Sequence, residues 1–117
     1  MNIITYIPRI YDNLDHYLKK NKVLIIYGPR RVGKTTLLKN FLKKYRGKYR
    51  LDSGDDVAVQ NILESSRFSI ILEYVNSLDL LAIDEAQKIK GVGQGLKIIV
   101  DQVENILVIA TGSSSFD

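Results

Sequence analysis

The chain contains no cysteine. That excludes disulfides, thiolate chemistry and cysteine-based metal sites, and it suits a reducing cytoplasm. It also lacks any apolar run approaching bilayer-spanning length. Its first residues, Met1-Asn2-Ile3-Ile4-Thr5, lack the basic segment and long apolar stretch of a secretory signal. A soluble, cytoplasmic protein with no membrane partner is the expectation. There are no internal repeats and no low-complexity segment. Charge of one sign is only slightly in excess: 17 Lys and Arg against 13 Asp and Glu, a net charge of +4. That mild basicity is compatible with nucleic acid but does not indicate it. The single histidine, His16, reads as a helix-surface residue.

What remains is an ordinary globular composition, 45% hydrophobic and 26% charged over 117 residues. This is enough chain for one domain with one core. Within it, Gly28-Pro29-Arg30-Arg31-Val32-Gly33-Lys34-Thr35 spells the pattern GxxxxGK[ST]. The apolar run Val23–Tyr27 precedes it as a buried strand, and a helical pattern from Thr36 to Leu42 follows. A strand, a glycine-rich turn and a helix start, in that order, make a phosphate-binding loop. Gly28 and Gly33 allow positive φ and admit no side chain where phosphate approaches. Main-chain N–H groups of the loop form an anion nest, helped by the helix dipole. Lys34 can reach the β- and γ-phosphates, and the Thr35 hydroxyl can serve Mg²⁺. The candidate nucleotide-binding residues are Gly28, Pro29, Arg30, Arg31, Val32, Gly33, Lys34, Thr35 and Thr36; side chains such as Arg30 and Arg31 read as solvent-facing.

The rest of the chain alternates strands with helices. A lead-in helix is expected over 9–20, strands near 22–27, 48–51, 78–83 and 106–110, and helices near 34–46, 56–65, 67–76 and 95–103. Lys43, Lys44 and Arg46 followed by Gly47 suit the end of the loop helix. Residues 90–95 read as a flexible loop, and Gly91-x-Gly93-x-Gly95 does not match a dinucleotide fingerprint. Most of these strands are continuously apolar, the signature of a parallel sheet covered on both faces. The expected fold is α/β, a three-layer P-loop NTPase architecture with about four parallel strands.

Two further motifs stand at strand C-terminal ends, where ligands of such sheets bind. Asp84 and Glu85 close the run Leu80-Leu81-Ala82-Ile83. Asp84 suits Mg²⁺ and Glu85 suits polarisation of an attacking water. Thr111 and Ser113 close the last strand, and either hydroxyl could sense the γ-phosphate; residue type does not choose between them. Gln87 and Lys88 could face the same site or cap a loop. Candidate catalytic residues are therefore Lys34, Glu85, Thr111 and Ser113, with Thr35 and Asp84 at the metal. The required cofactors are ATP and Mg²⁺.

Taken together, GPRRVGKTTLL, LLAIDEAQKI and VIATGSSSFD resemble the AAA-type P-loop ATPases of archaea and bacteria that are commonly fused to a C-terminal domain of unknown function. The resemblance covers residues 1–117. It implies Walker A at Gly33, Lys34 and Thr35, Walker B at Asp84 and Glu85, and a sensor segment at Thr111 to Ser113. It also implies ATP over other nucleotides and a sheet order of 5-1-4-3-2. Family members continue past the equivalent of Asp117 into a fifth strand, an arginine finger region and an effector domain. A fragment is therefore expected, one that binds nucleotide better than it hydrolyses it. Without the fifth strand, strand 22–27 should be an open edge that favours self-association. Other readings are a small-molecule kinase, which Glu85 disfavours, a GTPase, which lacks a base-reading N-K-x-D after the loop, and a nucleotide-gated interaction module with little turnover.

Overall fold

The computed structural model describes residues 3–6, 14–28 and 33–113. Among them five strands form one parallel sheet: β1 (Ile3–Tyr6), β2 (Val23–Tyr27), β3 (Tyr49–Ser53), β4 (Leu80–Asp84) and β5 (Leu107–Gly112). Their spatial order is β1-β2-β5-β4-β3. Four helices connect them: α1 (Lys34–Lys44), α2 (Val57–Glu64), α3 (Phe68–Tyr74) and α4 (Val92–Gln102). The expected α/β, P-loop-like arrangement is present.

Period-two alternation along the central strands sorts side chains into two cores. Leu24 and Ile26 of β2, Leu80 and Ala82 of β4 and Ile109 of β5 meet Leu38 and Leu42 of α1 on one face. Val23, Ile25, Leu81, Ile83, Val108 and Ala110 meet α2, α3 and α4 on the other, through residues such as Leu63, Ile71, Leu96 and Ile99. Strands buried on both faces need apolar residues at every position, hence runs such as Leu80-Leu81-Ala82-Ile83. The register aligns the C-terminal ends: Tyr27 lies beside Gly112, Ile83 beside Ala110 and Ser53 beside Asp84.

The N-terminal segment departs from expectation. Ile3–Tyr6 is a strand paired parallel with β2, with Ile3 opposite Val23 and Tyr6 opposite Ile26. It occupies the flank where β2 was expected to be an open edge, so association through that edge loses its basis. Ile-Ile-Thr-Tyr is β-branched and aromatic, and that local preference is realised. Of the lead-in helix expected over 9–20, residues 9–13 lie outside the described part. Within 14–20 there is only a 3₁₀ turn, Leu14–His16, with Leu14 buried and His16 exposed. Two other boundaries move. α1 stops at Lys44 and is followed by Tyr45 in extended conformation rather than by a glycine cap. α4 starts at Val92, so part of the expected loop is helix. A Cβ on Gly95 would lie 2.7 Å from the Leu63 carbonyl oxygen, so this glycine brings α4 close to α2.

Asn21 joins the start of β2 to the end of α4. It sits at φ 61°. Its side-chain amide donates to the carbonyls of Val100 at 2.9 Å and Val103 at 2.6 Å. Its side-chain oxygen accepts from the Asn105 N–H at 3.1 Å. Asn tolerates this left-handed conformation better than most residues. Asn21→Ala should lower unfolding free energy in urea by about 2–4 kcal/mol, combining lost hydrogen bonds with backbone strain. Asn21→Gly removes the same bonds without that strain and should lose less.

Candidate functional site

The candidate residues that the structure describes gather at the C-terminal edge of the sheet, around the start of α1. Gly33 caps α1 with φ 78° and ψ 28°, a left-handed conformation that glycine adopts without penalty. It offers no side-chain acceptor to the first turn, and that turn contains no acidic residue. Helix geometry gives the N–H groups of a first turn no intrahelical acceptor, which suits them to an anion. Lys34 is only 3% exposed. Its ammonium folds back and donates to the Gly28 carbonyl at 2.5 Å. Gly28 is itself tied to the sheet, its N–H donating to the Gly112 carbonyl at 3.3 Å. Thr36 lies exposed in the same first turn of α1. Pro29, Arg30, Arg31 and Val32 lie outside the described residues.

Asp84 is the hub. One carboxylate oxygen accepts from the Thr35 hydroxyl at 2.8 Å. The other accepts a short hydrogen bond from the Thr111 hydroxyl. Thr111 is fully buried, at 0% exposure. Its oxygen in turn accepts from the Glu85 N–H at 3.2 Å. An ionised carboxylate only accepts, so both hydroxyls must donate to it. The lone pairs of Thr35 are thereby left for another electrophile. Thr35, Asp84 and Thr111 form one polar chain across α1, β4 and β5.

Glu85 stands just past β4 with φ 54° and ψ 44°. A non-glycine residue in this region is uncommon and strained, and such residues cluster at functional sites. Gly54 packs directly against it. A Cβ on Gly54 would lie 2.0 Å from the Glu85 carbonyl oxygen, so the turn after β3 must carry glycine for the two backbones to approach. The Gly54 N–H donates to the Asp84 carbonyl at 2.7 Å. The Glu85 carboxylate accepts from the Gln87 carboxamide at 2.8 Å, and the same nitrogen reaches the Ser113 hydroxyl at 3.2 Å. Thr111 and Ser113 are thus separated by role. Thr111 serves Asp84 from within the core, whereas Ser113 stands outside it and touches Gln87. Lys88 turns away to pair with Asp55 at 2.8 Å.

A cleft of about 200 Å³ opens between α1 and β3, lined by Thr35, Leu38, Lys39, Leu51, Asp52, Ser53 and Asp84. This is below the roughly 300–1,000 Å³ of small-molecule pockets and suits a hydrated ion better than a nucleobase. Its far wall is a cluster that the sequence did not reveal. Asp52 accepts from the Arg50 guanidinium at 2.6 Å and from the Tyr74 hydroxyl at 2.5 Å. Arg50 also lies over the Tyr74 ring, 4.6 Å from its centroid. Burial, then the bond to Asp52, pushes the Tyr74 phenol far above its usual range. It remains a protonated donor. The bond to Asp52 likewise raises the Arg50 guanidinium.

The oxygen donors lining the cleft are the hydroxyls of Thr35 and Ser53 and the carboxylates of Asp52 and Asp84, the hard set preferred by Mg²⁺; Lys39 lines it as well. Among the described residues no group of three or more His, Cys, Asp or Glu could cage a metal. Thr35 and Asp84 fit Mg²⁺ that arrives with phosphate ligands of its own. Among the same residues, no helix is long and apolar enough to cross a membrane.

A protein-family model described as an AAA domain matches residues 20–117, the greater part of the chain. No curated protein and no solved structure matches the chain significantly.

Thr111→Val keeps the shape of the buried side chain and removes its hydroxyl. Asp84 loses a donor and the Glu85 N–H loses its acceptor. Urea unfolding should show a loss of about 1–3 kcal/mol, mostly recovered in Thr111→Ser.

Proposed function

The chain belongs to the AAA domain family and is a nucleotide-binding, ATPase-like module; on that footing we propose that it binds Mg²⁺-ATP at the start of α1 and hydrolyses it. The observation that carries this reading is the Asp84 carboxylate holding Thr35 on one side and Thr111 on the other. That bridge sets the helix carrying Lys34 against the strand ends carrying Glu85 and Ser113.

In this reading the residues from Gly28 to Thr36 surround the triphosphate. Arg30, Arg31, Val32, Gly33, Lys34, Thr35 and Thr36 offer it main-chain N–H groups, while Pro29 has none to give and the Gly28 N–H is held by the Gly112 carbonyl. Lys34 swings from the Gly28 carbonyl to the β- and γ-phosphate oxygens, exchanging a neutral acceptor for an anionic one. Thr35 and Asp84 would hold Mg²⁺, which neutralises charge on the phosphate oxygens when bound. Glu85 takes a proton from water as the water oxygen bonds to the γ-phosphorus. The bond from that phosphorus to the bridging oxygen breaks, and ADP and phosphate leave. Ser113 reads the γ-phosphate, and Thr111, bonded to Asp84, holds the strand end.

A cytoplasmic location and an effector partner driven by the ATPase cycle complete the reading. The absence of cysteine suits the former. The competing reading, a nucleotide-gated module that barely turns over, has one structural observation behind it. Gln87 already occupies the Glu85 carboxylate.

Two variants test the proposal. Lys34→Ala should abolish binding of a fluorescent ATP analogue. Glu85→Gln should retain binding and lower phosphate release by about 10²-fold or more. Equal phosphate release by Glu85→Gln and the parent chain would remove the hydrolase reading in favour of the switch.

A further inference from the structure

Gln87 sits in the 3₁₀ turn Ala86–Lys88 that follows Glu85. Its carboxamide nitrogen donates both to the Glu85 carboxylate at 2.8 Å and to the Ser113 hydroxyl at 3.2 Å. Chemistry fixes the orientation of the amide. Reversing it would set its oxygen against a carboxylate oxygen, acceptor facing acceptor. The amide oxygen is buried and has no hydrogen-bond partner among the described residues. An orphaned buried acceptor is unfavourable. Gln87 is therefore poorly accounted for as a stabilising residue, and its two donor contacts need another explanation.

The surroundings supply one. The Glu85 backbone is immobilised: its N–H donates to Thr111 at 3.2 Å, its carbonyl accepts from the Lys88 N–H at 3.1 Å, and Gly54 packs against that carbonyl. Only its side-chain torsions remain to be set. Gln87 is the side chain that holds the carboxylate among the described residues, and it holds the end of β5 with the same nitrogen.

We propose that Gln87 is a positioning residue that couples Ser113 to Glu85, so that the aim of the Glu85 carboxylate depends on what the Ser113 hydroxyl contacts. The bond from Gln87 uses the Ser113 oxygen as an acceptor and leaves its O–H to donate. A γ-phosphate oxygen takes that O–H and draws the hydroxyl toward itself. Withdrawal of Ser113 shifts the carboxamide, and the carboxylate is re-aimed toward the water it deprotonates. The nucleoside triphosphate thereby switches on its own base, and the diphosphate, which lacks that oxygen, does not. The catalytic consequence rests on the hydrolase reading above; the tie between the three side chains does not.

The test uses Gln87→Leu, Ser113→Ala and the double variant. Gln87→Leu also removes the orphaned oxygen, so folding and Mg²⁺-ATP binding should be retained. Its kcat should fall about 10- to 100-fold with KM unchanged, as expected for a misaimed group. The double variant should be no slower than the slower single variant, because both changes cut one coupling. Unchanged kcat in Gln87→Leu, or losses that multiply in the double variant, would overturn the proposal.

Equal turnover by the parent chain and Glu85→Gln is failure of the hydrolase reading instead. The coupling is then read without nucleotide, from the ¹³C resonance of the Glu85 side-chain carboxyl. Ser113→Ala, which does not touch Glu85, should move that resonance in the same sense as Gln87→Leu, with no further movement in the double variant. A Glu85 resonance indifferent to Ser113→Ala would overturn the coupling itself.

Discussion

A single carboxylate accepting hydroxyl bonds from two directions is the constraint on which the site depends. Asp84 ends β4, which lies between β3 and β5. Thr35 reaches it from α1, across one layer of the fold, and Thr111 from the neighbouring strand. Hydrogen bonds to a charged acceptor contribute about 1.5–3 kcal/mol each. Apolar packing of Leu38 and Leu42 sets the distance of α1 from the sheet but leaves it free to slide. The bond from Thr35 anchors its first turn to the end of β4, and the bond from Thr111 orients the carboxylate that receives it. They also fix proton polarity, leaving the Thr35 oxygen as an acceptor that faces outward.

Unfavourable local features collect around this hub. Lys34 carries a buried ammonium at the positive end of a helix dipole. Glu85 holds a left-handed conformation, and Gly54 leaves no room for a side chain. Backbone strain of this kind costs of order 1–3 kcal/mol per residue. Two closely packed apolar layers offset it, with residues such as Leu24, Ile26, Leu81 and Ile83 almost wholly buried. Among the described residues the buried polar side chains, Lys34 and Thr111, both lie at the edge of the sheet that carries this hub.

How much of this was legible in the sequence varied with the kind of signal. The strand and helix on either side of the GxxxxGK[ST] run were legible from an apolar run and a helical pattern; residues 29–32 of the run lie outside the described part. Asp84 and Glu85 were legible because four apolar residues place them at a strand end. β1 was missed because residues 9–20 drew attention to a helix, although Ile3-Ile4-Thr5-Tyr6 carried the strand preference directly. The start of α4 was hidden by Gly91, Gly93 and Gly95, which resemble a loop until Gly95 is seen to face the Leu63 carbonyl. That Thr111 is wholly buried and Ser113 is not could not be read from residue type. The Asp52, Arg50 and Tyr74 cluster was beyond reach, since Tyr74 comes from α3, twenty-two positions from Asp52. Gln87 was in view two residues past Glu85, but only geometry links it to Ser113.

The central claim is that Thr35 and Asp84 present oxygen ligands to a cation carried by a triphosphate. Calorimetric titration of ATP into the chain, once with Mg²⁺ and once with EDTA, tests it most directly. Binding should be at least about tenfold tighter with Mg²⁺, and Asp84→Asn should erase most of that difference. Equal affinity in the two buffers, or a Mg²⁺ effect that persists undiminished in Asp84→Asn, would contradict the account.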